Sequence, residues 1–238
     1  MNRHVRYQTR SPLSGLVKVI DVGPDRRLVL DGSVLSTYPR DGDWTRARQE
    51  YWGEALSLVA LPPRPSVLFV GLGGGTQLHL LRQQVKPRQV TAIERDPLIV
   101  RIAQRWFGLE EIPGLEFLCA EAETAVAALL RARGRFDFIM EDCTYDQPAA
   151  RSIPLALSLV RLLSRRGALV VNRHRRPHAL DTALALATSF EKIRLHRVRR
   201  EADNILVCAS GLRPRARTLR APAAADSPAD PACLPGRL

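Results

Sequence analysis

The run Val67-Leu68-Phe69-Val70-Gly71-Leu72-Gly73-Gly74-Gly75-Thr76 constrains this chain more than any other segment. Four apolar residues emptying into a glycine cluster read as a buried strand and the tight turn that opens a helix. Downstream, Val90-Thr91-Ala92-Ile93-Glu94 is a second apolar strand ending in a carboxylate. Strand, glycine loop, helix and acid-tipped strand in that order suit an adenosine-containing ligand. Residues without Cβ let the turn fold tightly and the ligand approach the backbone, and a carboxylate at Glu94 can accept both ribose hydroxyls. A dinucleotide loop of the G-x-G-x-x-G type would place its third glycine where Thr76 stands, which weakens NAD or FAD.

The chain of 238 residues fits one α/β domain with small appendages. Residues 15–36 alternate in short apolar runs around Gly23-Pro24-Asp25 and read as a β-hairpin. Residues 46–59 have helical spacing and stop at Pro62-Pro63. From Ser66 the pattern predicts strands over 67–70, 90–94, 115–119, 136–141 and 168–172. Helices are predicted over about 76–84, 97–107, 122–133, 153–164 and 178–190, and a final strand pair over 192–199 and 204–210. Alternation of this kind gives a Rossmann-like, seven-stranded, mostly parallel sheet with helices on both faces, preceded by the small hairpin element. The expected divisions are an N-terminal β-element over 1–45, the sheet domain over 46–210, and a disordered basic Pro/Ala-rich tail over 211–238.

The formal charge is +12, of which the residues from Gly211 onward carry +3, with five arginines against two aspartates. A basic surface can attract nucleic acid, but no aromatic residues interleave the cations, so solvated helix faces are favoured. Cys119, Cys143, Cys208 and Cys233 share no metal-ligand spacing with the five histidines, and neither a zinc site nor a disulfide framework is expected. Cys119 and Cys208 fall in apolar strand patterns and read as small hydrophobes. Trp106 reads as core by its helical spacing with Ile99, Ile102 and Ala103. No apolar run approaches the ~20 residues of a membrane span, and Met1-Asn2-Arg3-His4 begins no apolar signal core, so a cytoplasmic protein is expected.

Ligands of such sheets bind beyond the carboxyl ends of the strands. Besides the glycine loop and Glu94, those ends carry Glu121-Ala122 and Glu141-Asp142, with Asp146 close by. Carboxylates crowded at a strand tip can raise one pKa and create a base. His174, with Arg173, Arg175 and Arg176, offers a cationic strand end to an anionic acceptor or stays a solvated loop.

A G-x-G-G-G loop with an acidic second strand is similar to that of class I S-adenosylmethionine enzymes. More specifically, seven segments resemble, in order, the polyamine aminopropyltransferases such as spermidine synthase. They are Leu28-Val29-Leu30-Asp31-Gly32, Tyr51-Trp52-Gly53-Glu54, Val70 to Thr76, Ala92 to Pro97, Ala120-Glu121-Ala122, Phe136 to Asp142, and Gly167 to Asn172. The resemblance implies transfer of an aminopropyl group from decarboxylated S-adenosylmethionine to a polyamine amine, without a metal and within a homodimer. It assigns Asp142 as base. The nucleoside falls to Gly71, Gly73, Gly75, Thr76, Glu94, Arg95, Glu121, Ala122 and Asp142. The acceptor falls to Trp52, Glu54, Tyr145 and Asp146. Departures from the family pattern leave two alternatives: a methyltransferase using intact S-adenosylmethionine, or a non-catalytic binder of the adenosyl ligand. Thr76 replaces the family's donor-binding aspartate, and Asn172-Arg173-His174 replaces a glutamine-x-glutamate segment.

Overall fold

The computed structural model describes residues 3–143, 147–198 and 204–214. Tyr145, Asp146, Cys233 and nearly all of the tail expected to be disordered lie outside them.

The expected hairpin is the middle of a four-stranded antiparallel sheet in the order β1-β2-β3-β4: β1 (Arg3–Ser11), β2 (Gly15–Val22), β3 (Asp25–Leu30) and β4 (Ser33–Pro39). Val22 pairs with Asp25 across the Gly23-Pro24 turn, as the sequence suggests. β1 escapes sequence reading because it is an edge strand, mostly exposed, with no apolar alternation to reveal it. One face of this sheet, through Val17, Val19 and Leu28, packs on Ile99, Ile102 and Phe107.

The region 46–59 forms two short helices, α1 (Thr45–Arg48) and α2 (Tyr51–Ser57). The main sheet follows as β5 (Ser66–Val70), α3 (Thr76–Gln84), β6 (Gln89–Ile93), α4 (Pro97–Phe107), β7 (Leu115–Leu118), α5 (Ala122–Arg131) and β8 (Phe136–Glu141). It continues through α6 (Ala149–Val160), β9 (Leu163–Arg173), α7 (Arg176–Ala187), β10 (Phe190–Arg197) and β11 (Ile205–Leu212). α6 starts earlier than expected because Pro154 sits inside the helix rather than at its first turn. β9 is correspondingly longer.

The order β10-β11-β9-β8-β5-β6-β7 places β5 between β6 and β8, all parallel, with β11 antiparallel to both its neighbours. This is the expected Rossmann-like sheet. The strand order reverses at β5, which opens a crevice beyond its carboxyl end. One face of the sheet buries Leu68, Ile139 and Leu169 with Leu155 and Leu159 of α6 and Leu186 of α7. The other buries Val67, Phe69 and Phe138 with Trp52 and Leu56 of α2 and Leu78 and Leu81 of α3.

Local chemistry sets the boundaries around the crevice. α4 begins where Asp96 Oδ1 accepts from Leu98 N at 2.8 Å with Pro97 in the first turn, and it ends at left-handed Gly108, φ 68°. α1 meets α2 at Gly53, where an added Cβ would lie 2.3 Å from Arg48 O. We therefore expect Gly53→Ala to lower unfolding free energy by about 1–3 kcal/mol, the cost of forced overpacking, in a urea titration. Gly114→Ala, in open space but at φ 71°, serves as the control. It should lose only the left-handed backbone term of about 1–2 kcal/mol and leave the denaturant slope unchanged.

Candidate active site

Beyond the carboxyl ends of β5, β6, β7 and β8 lies a cavity of about 570 Å³. Gly71, Gly73 and Gly75 form its floor, and Glu94, Arg95, Glu121, Ala122 and Asp142 stand along it. The N-terminal sheet and its first hairpin turn contribute Leu30, Leu35 and Ser14, and α2 contributes Tyr51 and Trp52.

The glycines are needed for closeness as well as for conformation. At Gly71, φ 87°, an added Cβ would lie 2.9 Å from the Asp142 carbonyl oxygen, so only glycine lets β5 end against β8. Asp142 N donates to Val70 O at 2.8 Å, and Gly71 N donates to Ile93 O at 2.9 Å. Three strand ends are thereby fixed to one another. Glu94 Oε1 accepts from Asp96 N at 3.1 Å, and Oε2 lies 3.5 Å from the amides of Leu72 and Gly73. Burial raises its pKa against the lowering effect of these amides. Arg95 and Glu121 are exposed on the rim, with Arg95 Nη1 4.0 Å from Glu121 Oε1 and Nη2 donating to Leu13 O at 3.3 Å.

Asp142 is the most perturbed carboxyl of the cavity wall. Tyr51 donates its hydroxyl to Oδ2 at 2.8 Å, and Asn172 Nδ2 donates to Oδ1 at 2.9 Å. The side chain reaches the cavity but is otherwise enclosed by protein. Burial is the largest influence and lifts its pKa from 3.8 to about 7, over the lowering effect of those two donors; Glu141 adds to the rise and Arg173 opposes it. Neighbouring Cys143 is exposed at the cavity wall, yet its surroundings and the carboxylates of Glu141, Asp142 and Glu123 push its thiol well up.

Several expected residues are placed elsewhere. Thr76 is 2% exposed and does not line the cavity: its Oγ1 donates to Thr37 O and accepts from Thr37 N, both at 2.9 Å, stapling α3 to β4. Glu54 is likewise absent from the cavity wall, its Oε2 lying 2.6 Å from His196 Nε2 on β10. Arg173 is no surface cation. It is fully buried, with Nη1 2.5 Å from the equally buried Glu141 Oε2. Cys119 is exposed past the end of β7, whereas Cys208 is buried as expected. Trp106 is only partly buried, stacked on Tyr7 and flanked by the guanidiniums of Arg26 and Arg105. Residues not singled out from sequence are Tyr51, Asn172, Gln77, which donates to Trp52 O at 3.2 Å, and Ser36, which accepts from Gly74 N at 2.6 Å. Tyr51 and Asn172 lie inside segments that carry the family resemblance, so a signal is present in the sequence without the register that would read it.

Sheet order, glycine loop and strand-end acids define a class I S-adenosylmethionine-dependent methyltransferase-like fold. It is similar to that of spermidine synthase from Thermotoga maritima, with TM-score 0.65 and 16% identity over 89% of this chain and 75% of that chain. A spermidine synthase in complex with the transition state analogue AdoDATO gives TM-score 0.65 and 15% identity over 89% and 74% of the two chains. Human methyltransferase-like protein 13 in complex with SAH gives TM-score 0.53 and 24% identity over 71% and 79%. In sequence, the chain is 28% identical over 155 residues to the eEF1A lysine and N-terminal methyltransferase of Danio rerio and 27% identical over 157 to that of Homo sapiens. These alignments cover 60% of this chain, which spans only 22% of the length of those relatives. No family model matches the chain.

The raised pKa of Asp142 has a stability consequence of fixed sign. Its folded value lies above that of a free carboxylate, so the favourable contribution of the protonated form is complete below about 3.8 and is lost as pH rises through about 7. Asp142→Asn should therefore gain thermal stability relative to the parent as pH rises from about 4 to about 7 and hold that gain above it, on the order of a few degrees in Tm. A gap independent of pH would show that the carboxyl is not perturbed.

Proposed function

We propose that this chain is a transferase that alkylates an amine from an adenosyl sulfonium donor, moving an aminopropyl group from decarboxylated S-adenosylmethionine to a polyamine-type acceptor. One observation carries the reading: Asp142, with both carboxyl oxygens held and a pKa raised to about 7, faces a cavity whose other residues suit an adenosine. The cavity has the size of a small-molecule site. In it, Glu94 would accept the ribose hydroxyls, Glu121 and Ala122 would meet the adenine, and the backbone of Gly71, Gly73 and Gly75 would leave room for the chain bearing sulfur.

The donor supplies an electrophilic carbon on a good leaving group. What remains for the protein is to present an unprotonated amine in line with it. An alkyl ammonium has a pKa near 10, so Asp142 must both hold the acceptor and take a proton from it. The amine nitrogen then forms its bond to the carbon, the carbon–sulfur bond breaks, and the electron pair leaves with sulfur as 5′-methylthioadenosine. Tyr51 and Asn172 keep the carboxylate aimed, and Trp52 walls the acceptor side.

A second reading is methyl transfer from intact S-adenosylmethionine to an amine, leaving S-adenosylhomocysteine. It is favoured by Thr76, which stands in place of the aspartate that the family resemblance implies and is committed to Thr37, and by the methyltransferases among the sequence relatives. Both readings use the same base.

The test is a mass-spectrometric product assay with each donor and a panel of diamines and polyamines. Methylthioadenosine formed from the decarboxylated donor, dependent on amine, is the expected result; adenosylhomocysteine from the intact donor would move the chain to the second reading, and neither product would overturn both. Asp142→Asn should lower kcat by roughly a hundredfold to ten-thousandfold, as for loss of a general base, and the parent's rate should rise with pH through about 7. Separately, Glu94→Gln should weaken binding of S-adenosylhomocysteine or methylthioadenosine about tenfold to a hundredfold in calorimetry, the value of a charged hydrogen bond. Unchanged affinity would remove Glu94 from the ribose site.

A further inference from the structure

Beneath the cavity wall, β8 and β9 are joined by two cross-strand pairs. Asp142, which reaches the cavity, and the buried Asn172 form the outer one, and Glu141 and Arg173 the inner one. Both inner side chains are fully buried. Isolated buried charges are very costly, and even a matched pair gains little over apolar residues of the same size, so its presence calls for a role. The remaining bonds indicate that role. Glu141 Oε1 accepts from Cys143 N at 3.0 Å, so one carboxylate ties together the residues on either side of Asp142. Arg173 Nη1 donates to Glu141 and also to Asn172 O at 2.7 Å, and Nε donates to Thr182 Oγ1 on α7 at 3.3 Å. The guanidinium therefore holds the backbone of the residue that orients Asp142. Asn172 Nδ2 in turn donates to Asn204 Oδ1 at 2.7 Å.

We infer that Glu141 and Arg173 are a positioning pair for Asp142: Glu141 fixes the 141–143 turn, Arg173 fixes Asn172, and their opposite charges balance the field beneath the carboxyl. The inference rests on the proposed role of Asp142 for its functional meaning, but not for its geometry. Among the described residues, the charged and titratable groups set against Asp142 are Tyr51 on α2, Glu141 on β8, Cys143 beside it and Arg173 on β9. Of these, Glu141 and Arg173 act in opposite directions on its ionisation.

That opposition gives a test independent of turnover. The Asp142 carboxyl is titrated by ¹³C NMR in the full chain, assigned by difference against Asp142→Asn, for the parent, Glu141→Gln, Arg173→Gln, Arg173→Lys and the double Glu141→Gln/Arg173→Gln variant. We expect Glu141→Gln to lower the midpoint and Arg173→Gln to raise it, each by about one unit, with Arg173→Lys near the parent. Arg173→Gln leaves Glu141 buried and unpaired and can fail to fold. The double variant compared with Glu141→Gln then reads the same contribution of Arg173, and its midpoint must rise. Midpoints that stay fixed, or move the same way in both folded variants, overturn the pair's role. Where turnover is measurable, kcat should fall with the donor KM unchanged, and the acid limb of the pH profile should follow the NMR midpoints. Opposite NMR shifts in a chain that transfers no group to any amine would uphold the pair and sink the proposed function instead.

Discussion

The cavity depends on how closely two strand ends approach each other. β5 and β8 end side by side, and the Gly71 backbone lies where any Cβ would strike the Asp142 carbonyl oxygen. That apposition has two effects. It brings the Asp142 side chain to the glycine loop, and it encloses the carboxyl enough to raise its pKa toward neutrality. A looser junction would admit water, restore a low pKa and leave a weak base. The chemistry assigned to Asp142 therefore begins with a residue that has no side chain.

The N-terminal sheet is part of the same construction. Thr37 clasps Thr76 and Ser36 caps Gly74 N, so β4 grips the glycine loop from the side opposite the main sheet. An added Cβ at Gly73 or Gly74 would meet Ser36 within 3 Å, so the contact is as tight as that between β5 and β8. The first hairpin turn reaches further, with Ser11 donating to Asp96 Oδ2 and Arg95 donating to Leu13 O. Leu30 and Leu35 then supply apolar wall to a cavity that the parallel sheet alone would leave open on this side. The four strands behave as a wall of the site as much as an appended element.

What could be read from sequence follows the range of the interaction concerned. Glycine loop, Glu94, Glu121 and Asp142 were legible because strand ends and turns are local, and the parallel order of the sheet follows from alternation. Tyr51 and Asn172 were not, since they meet Asp142 across separations of 91 and 30 residues. Arg173 was misplaced for a related reason: three arginines and a histidine in a row suggest a solvated surface, and nothing local marks which of them has a buried carboxylate on the adjacent strand. Thr76 sat at a position where the family resemblance implied a ligand contact, but its hydroxyl is used by a strand 39 residues earlier. β1 was hidden by its polarity, since an edge strand exposed on most of its length needs no apolar alternation.

The arrangement of charge separates what binds from what supports. Five arginines gather on the two buried aspartates of the N-terminal sheet: Asp21 is held by Arg6, Arg26 and Arg40, and Asp25 by Arg27 and Arg46. This network takes up part of the chain's arginine surplus in locking strands together. Around the cavity the balance is reversed, with Glu94, Glu121, Glu123 and Asp142 against Arg95 and Arg151. A cationic sulfonium and an amine are attracted to such a lining, whereas a pyrophosphate would be repelled by it. The same lining bears on the choice of donor. Intact S-adenosylmethionine brings a carboxylate that needs a cation or free amides, while the decarboxylated form brings only positive charge. Under the proposed function, with the Thr76 hydroxyl bonded to Thr37, discrimination between the donors would rest on this summed field, a weaker and salt-dependent means of choosing.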